Sequence, residues 1–185
     1  MQSFDIHTHD TAPEASRPLL TALKQSVGMV PNLAAGMSES PQLLEGFLSV
    51  REIYQKGTFT AAEREVLSLT SAFENACSWC MAFHSLMAQK AGVDADAIAL
   101  LRAGRAPSHA RLGPLSDYAR TVVRQRGAVA PEELQRFLDA GYTRAQALEV
   151  VLGMAFSLMA NYASHVVDAP LDAPFVPHAW QHVAS

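Results

Sequence analysis

The sequence predicts an all-α protein, built as a compact bundle of about eight helices. Three observations support this fold class. Apolar residues recur with a helical period along most of the chain, no segment alternates as a half-buried strand does, and helix-capping signals separate the apolar stretches. The chain has 185 residues, of which 49% are apolar, so a single domain of this length can bury a substantial core.

Start and stop signals place the individual helices. Ser40 followed by Pro41 supplies a capping residue and then a proline at the first helical position. Two capping boxes, at residues 60–63 and 143–146, open two further helices, and glycines follow the ends of several others. The predicted helices cover residues 16–27, a short segment ending near 36, 41–57, 60–74, 77–90, 94–102, 114–126, 131–140 and 143–166.

The predicted domain organisation is simple. Residues 16–167 form a single helical domain, residues 1–15 a flexible N-terminal tail, and the proline-rich residues 168–185 an irregular C-terminal tail. Residues 1–10 are polar and lack the apolar core of a secretory signal. The most apolar run, 150–160, is too short to span a bilayer. We therefore expect a cytoplasmic protein that does not bind membranes.

Charge and cysteine content exclude several classes of function. The formal net charge is −4, with 14 basic and 18 acidic residues, and the basic residues form no stripe of the kind that binds nucleic acid. The low charged fraction, 17%, indicates an oligomer, because apolar surface is left without polar cover. The two cysteines stand three residues apart, so they do not form the framework of a secreted disulfide-rich protein.

The candidate catalytic residues are Cys77, Cys80, His84 and Glu65. On a helix, the two cysteines and His84 share one face. The helix start favours a thiolate at Cys77, whereas His84, one turn beyond Cys80, favours proton removal from Cys80, so the spacing alone leaves the nucleophile open. Glu65 lies on the preceding helix, which we expect to break at residues 74–76, so that its carboxylate can meet and orient the imidazole.

This pattern resembles a known family. The spacing Glu65-x11-Cys77-x2-Cys80-x3-His84, with Asn75 just before the first cysteine, is similar to the alkylhydroperoxidase D-like branch of the carboxymuconolactone decarboxylase superfamily, in its peroxidase-related subgroup. The stretches 28–33, 40–41 and 57–65 carry the same likeness, which covers residues 26–92 and continues more loosely through the last helix.

The resemblance implies a fold, a reaction and partners. It implies an all-α trimer or hexamer that reduces hydroperoxides without haem, flavin or metal. Cys80 would attack the peroxide, Cys77 would close a disulfide with it, and Glu65 and His84 would relay protons. A lipoylated or thioredoxin-like protein would supply the external dithiol. One position departs from the pattern: Trp79 stands where the best-studied members have a histidine between the cysteines.

Three other functions fit parts of the sequence. The superfamily's lactone decarboxylase activity is one, although that branch does not need a C-x-x-C pair. A redox-sensing protein whose disulfide alters its assembly is the second. The third is a zinc site, for which the two cysteines and the histidine supply three ligands and the chain offers no evident fourth at a matching spacing.

Overall fold

A computed structural model describes residues 4–182, and this part of the chain contains nine α-helices, two short 3-10 helices and no strand. The all-α prediction is therefore confirmed. The α-helices are α1 Arg17–Val27, α2 Asn32–Met37, α3 Pro41–Gln55, α4 Ala61–Glu74, α5 Ser78–Lys90, α6 Ala95–Arg102, α7 Leu112–Arg124, α8 Pro131–Asp139 and α9 Arg144–Val167; the 3-10 helices are Glu14–Ser16 and Ala173–His178.

The predicted capping signals form as expected. Ser40 Oγ accepts a hydrogen bond from the Leu43 N–H at the start of α3. Both capping boxes are complete, one at Thr60 before α4 and one at Thr143 before α9. Each box satisfies N–H groups that a helix start would otherwise leave without a partner.

Helix α7 begins at Leu112, two residues earlier than the Pro114 start that the sequence predicts. His109 explains the difference, because its Nδ1 accepts hydrogen bonds from the N–H groups of Arg111, at 3.2 Å, and Leu112, at 3.3 Å. The capped turn lets the helix begin before the proline. Pro114 then lies in the first turn, where a missing N–H breaks no helical hydrogen bond.

The first turn of α4 also supports a buried polar cluster. Glu63 is 6% exposed. Its Oε2 closes the Thr60 capping box, and its Oε1 accepts hydrogen bonds from Arg111 and the Tyr142 hydroxyl, each at 3.0 Å. Burial raises the pKa of Glu63, but the hydrogen bonds from Thr60, Arg111 and Tyr142 outweigh it, so the pKa is lower than the usual 4.5.

Helices α4 and α9 form the centre of the bundle. Helix α4 packs against α5, α7 and α9, and α9 also contacts α2 and α3. By length and composition α9 is the one helix between residues 4 and 182 that could cross a membrane, but 56% of its most apolar stretch is buried inside the protein. A core helix has the same composition, and α9 occupies that position here.

The two ends of the described chain contact the bundle. In the segment for which the sequence predicts a flexible tail, Ala12 is buried and His7 Nε2 lies 2.6 Å from Glu39 Oε2. At the other end, the 3-10 helix 173–178 packs against α5, and Arg102 donates hydrogen bonds to the carbonyls of His178 and Ala179. The C-terminal segment thereby covers the helix that carries both cysteines.

Candidate dithiol site

The turn between α4 and α5 brings the first cysteine to a helix start. Ala76 has φ +51°, in the left-handed region, and its N–H donates to the Phe73 carbonyl. The Cys77 N–H donates to the Ala72 carbonyl at 2.9 Å. These two hydrogen bonds form a Schellman motif, in which the left-handed position is usually glycine. The predicted break at residues 74–76 is confirmed, with an alanine at the position that a glycine would occupy with less strain.

Side chains on either side hold this turn in place. The Asn75 side-chain amide donates to Asn161 Oδ1 at 3.1 Å, and Ser71 Oγ donates to the same oxygen at 2.9 Å. Glu74, at the end of α4, accepts hydrogen bonds from Arg120 at 2.9 Å and from Arg124 at 2.6 Å. Because the turn is tied to both α7 and α9, the position of Cys77 depends on the whole bundle.

Both cysteines are buried and joined to each other. Cys77 and Cys80 form a disulfide, with their Cα atoms 5.3 Å apart and exposures of 0% and 1%. Cys77 is the N-cap of α5, and its Sγ accepts a hydrogen bond from the Cys80 N–H at 3.2 Å. The pair can therefore close within one helical turn, which a dithiol/disulfide cycle requires.

Glu65 and His84 meet across the α4–α5 hairpin. His84 Nδ1 donates to Glu65 Oε2 at 2.7 Å, and the two side chains are 13% and 20% exposed. A neutral imidazole that donates from Nδ1 keeps Nε2 as a proton acceptor. The carboxylate therefore fixes both the orientation and the tautomer of the histidine.

A pocket of about 150 Å³ opens onto Cys80 and His84, and Cys77 is not part of its wall. Apolar side chains from several helices form most of the surface, and the Trp79 and Phe83 rings stack on each other with centroids 5.3 Å apart. The pocket thus distinguishes the two cysteines, because Cys80 lines it and Cys77 does not.

Trp79 has a partner that is distant in the sequence. Its indole Nε1 donates to Asp172 Oδ2 at 3.0 Å, and the other carboxylate oxygen accepts from the Asn32 N–H at 3.0 Å. Asp172 is 5% exposed. Local sequence patterns cannot reveal a contact between residues 93 positions apart, although a buried tryptophan usually has a hydrogen-bond partner.

His165 also reaches the site region. Its Nε2 is hydrogen-bonded to the Asn75 carbonyl at 2.8 Å. Across residues 4–182, no three His, Cys, Asp or Glu side chains cluster closely enough to hold a metal ion.

The part of the chain that carries this site matches a known protein family. Residues 41–124 match the carboxymuconolactone decarboxylase family, and this range runs from α3 through α7 and includes all four candidate catalytic residues. This match covers 84 of the 185 residues, so a little under half of the chain is similar to that family. No curated protein matches the chain significantly.

Solved structures share this fold over nearly the whole chain. An AhpD-core, peroxidase-related protein from Ralstonia eutropha JMP134 superposes with a TM-score of 0.83 at 17% identity, covering 94% of this chain and 93% of the other. A peroxidase-related protein from Silicibacter sp. TM1040 gives 0.77 at 18%, with the same coverage. The debrominase Bmp8 gives 0.77 at 15%, covering 95% of each chain. At these identities the likeness establishes the fold.

Proposed function

We propose that this protein is a thiol-dependent peroxidase, which reduces alkyl hydroperoxides or hydrogen peroxide through a dithiol/disulfide cycle. One observation carries the proposal. The pocket reaches Cys80 and His84 but not Cys77, while Cys77 lies within disulfide distance of Cys80. This arrangement supports Cys80 as the nucleophile, His84 as its base and Cys77 as the resolving thiol.

The reaction proceeds in two balanced steps. The Cys80 thiolate, formed by proton transfer to His84, attacks the terminal peroxide oxygen; an S–O bond forms, the O–O bond breaks, and the leaving alkoxide takes the proton back from His84. The products are the alcohol and a Cys80 sulfenic acid. The Cys77 thiol then attacks this sulfur, so that the disulfide forms and the hydroxyl group leaves with a proton as water. Glu65 holds His84 in place throughout.

Regeneration requires an external dithiol. We propose a lipoylated or thioredoxin-like protein for this role, in a reducing compartment such as the cytoplasm. We also propose a homotrimer or homohexamer assembled through α9. Its exposed apolar side chains recur at helical spacing and fall on one face: Leu148, Val151, Leu158, Tyr162 and Val166.

The two thiols have separable roles, and two variants test them. Cys80→Ser should abolish hydroperoxide consumption in the presence of dithiothreitol. Cys77→Ser should react once and retain a sulfenic acid, detectable by mass spectrometry after trapping with dimedone. Ser78→Ala is the matched control, because Ser78 lies between the cysteines and is exposed. Full activity in Cys80→Ser would exclude the proposed mechanism.

A second reaction of the same dithiol is reductive dehalogenation. The aromatic and apolar walls of the pocket favour it, since they suit a flat halogenated ring as well as an organic hydroperoxide. A cysteine-to-alanine variant of the debrominase Bmp8 has been solved in complex with 2,3,4-tribromopyrrole. That structure superposes on this chain with a TM-score of 0.76 at 14% identity, covering 96% of this chain and 97% of the other. Here a C–Br bond would become C–H, with release of bromide and oxidation of two thiols to a disulfide. Bromide release from a bromopyrrole, measured beside hydroperoxide loss, separates the two reactions.

The other sequence-based alternatives have their own tests. A redox sensor would change oligomer size between reduced and oxidised protein without consuming hydroperoxide catalytically. A lactone decarboxylase would retain its activity in the Cys77→Ser/Cys80→Ser double variant, because that chemistry is proton transfer.

A further inference from the structure

The pocket beside Cys80 contains a cation that the proposed reaction does not use. Arg51, on α3, lines the pocket together with Cys80 and His84 and is half-buried. Within residues 4–182 its guanidinium makes no ion pair and no hydrogen bond, whereas Arg102 and Arg120, which are also half-buried, have such partners. Burial lowers the pKa of Arg51, because the charged form loses water without gaining a counter-charge.

A second polar group in the same pocket also lacks a partner. Ser157, on α9, is 3% exposed and lines the pocket, and its Oγ makes no hydrogen bond to any described residue. Buried hydroxyl groups in proteins are almost always hydrogen-bonded, because an unpaired one is destabilising. Arg51 and Ser157 thus approach one small pocket from two helices, and each retains a donor for a ligand.

The remainder of the pocket restricts what that ligand can be. Besides Arg51, Ser157, Cys80 and His84, the side chains that line it are apolar or aromatic. Its volume of about 150 Å³ is comparable to that of an engineered cavity that binds one benzene molecule. The chemistry therefore calls for a ring-sized apolar body with one anionic group.

We propose that the pocket binds a small monocarboxylate, whose carboxylate pairs with the Arg51 guanidinium and accepts a hydrogen bond from Ser157. The binding site does not depend on the proposed peroxidase function, but the identity of the substrate does. If the protein is a peroxidase, the substrate is an organic hydroperoxide that carries a carboxylate, and Cys80 cleaves its O–O bond as described above. The carboxylate itself takes no part in electron transfer. Arg51 is a specificity-determining residue, and a planar guanidinium suits a carboxylate geometrically.

Binding to the oxidised protein tests the inference without any turnover. Benzoate and benzamide are matched in size and differ in charge, and their affinities can be measured by isothermal titration calorimetry with the disulfide intact. We expect benzoate to bind about 10- to 100-fold more tightly than benzamide, the range expected for a hydrogen bond to a charged group. Arg51→Met should remove this preference, Arg51→Lys should retain part of it, and Ser157→Ala should weaken benzoate more than benzamide.

The outcomes separate this inference from the proposed function. Equal affinity for benzoate and benzamide in the unmodified protein would overturn the inference, whatever the variants do. If Arg51→Met slows hydroperoxide loss but leaves benzoate binding unchanged, Arg51 acts on the thiolate and the inference is wrong. Arg51-dependent benzoate binding in a protein that consumes no hydroperoxide would support the binding site and refute the peroxidase. Circular dichroism melting and size-exclusion chromatography establish that each variant is folded and assembled as the parent is.

Discussion

The hydrogen bond between Glu65 and His84 predicts how far the rate of hydroperoxide loss falls when the Glu65 charge is removed. Glu65→Gln keeps an oxygen acceptor near Nδ1 but removes the negative charge. A hydrogen bond to a charged group contributes about 1.5–3 kcal/mol and a neutral one about 0.5–1.5 kcal/mol, so the substitution should cost about 1–1.5 kcal/mol. Both side chains are mostly buried, which limits screening by solvent. The rate of hydroperoxide loss at neutral pH should fall by about tenfold.

His84→Gln removes the base itself and should have a larger effect, about 100-fold or more, as is typical for loss of general acid–base catalysis. The decisive measurement is the double variant. If Glu65 acts only through His84, adding Glu65→Gln to His84→Gln should leave the rate almost unchanged. Alkylation of the reduced protein by iodoacetamide gives an independent readout of thiolate formation and should show the same pattern.

The matched control is Glu52→Gln, because Glu52 pairs with Lys56 on the exposed side of α3, and exposed ion pairs contribute little. If the rate loss in the double variant equals the product of the two single losses, Glu65 does not act through His84. A tenfold loss in Glu52→Gln would show that the assay responds to surface charge rather than to the site.

Three further predictions concern stability. Gly104→Ala should destabilise the protein by more than about 2 kcal/mol, because φ is +71° and the added Cβ would lie 2.2 Å from the Phe73 ring. Gly28→Ala is the control: φ is +85° but nothing lies within 4 Å, so only the cost of the left-handed backbone, about 1 kcal/mol, should be lost. Urea unfolding measures both, and equal losses would contradict the clash. Trp79→Phe should lower the free energy of unfolding by about 1.5–3 kcal/mol beyond the effect of the smaller ring, because the buried Asp172 carboxylate loses a hydrogen-bond donor. In an Asp172→Asn background the same substitution should lower the free energy of unfolding by less. Glu63 has a lowered pKa, so its contribution to the free energy of unfolding is present above pH 4.5 and disappears as the pH falls through its pKa in the folded protein. Glu63→Gln should therefore make the free energy of unfolding depend less on pH across that acid range. An unchanged pH dependence would contradict the role of Glu63.

Much of the fold could be predicted from sequence because its signals are local. Capping boxes, an N-terminal proline and glycines after helices are fixed by a few neighbouring residues, and the helices begin within a residue or two of the predicted positions. The start of α7 is the instructive exception. His109 is not among the residues that usually cap helices, so the pattern favoured the proline instead.

The candidate site could be predicted only where its parts are close in sequence. The spacing of the cysteines and His84 places them on one helix face, and the break before Cys77 predicts the hairpin that brings Glu65 to the imidazole. Arg51 and Ser157 lie outside that motif. An arginine on an amphipathic helix usually points to solvent, and the sequence does not show that this one lines a pocket, because that depends on how α3 and α9 pack.

The Asp172 carboxylate has a consequence for how the protein is made. It joins Asn32 and Trp79, which lie 140 and 93 residues before it in the chain. During synthesis, therefore, the hydrogen bonds that fix this wall of the pocket beside Cys80 cannot form until residue 172 has left the ribosome. A nascent chain that already contains both cysteines still lacks the residue that fixes the indole between them. Oxidation of the thiols before that moment would close the disulfide while the Trp79 indole still lacks its hydrogen bond to Asp172.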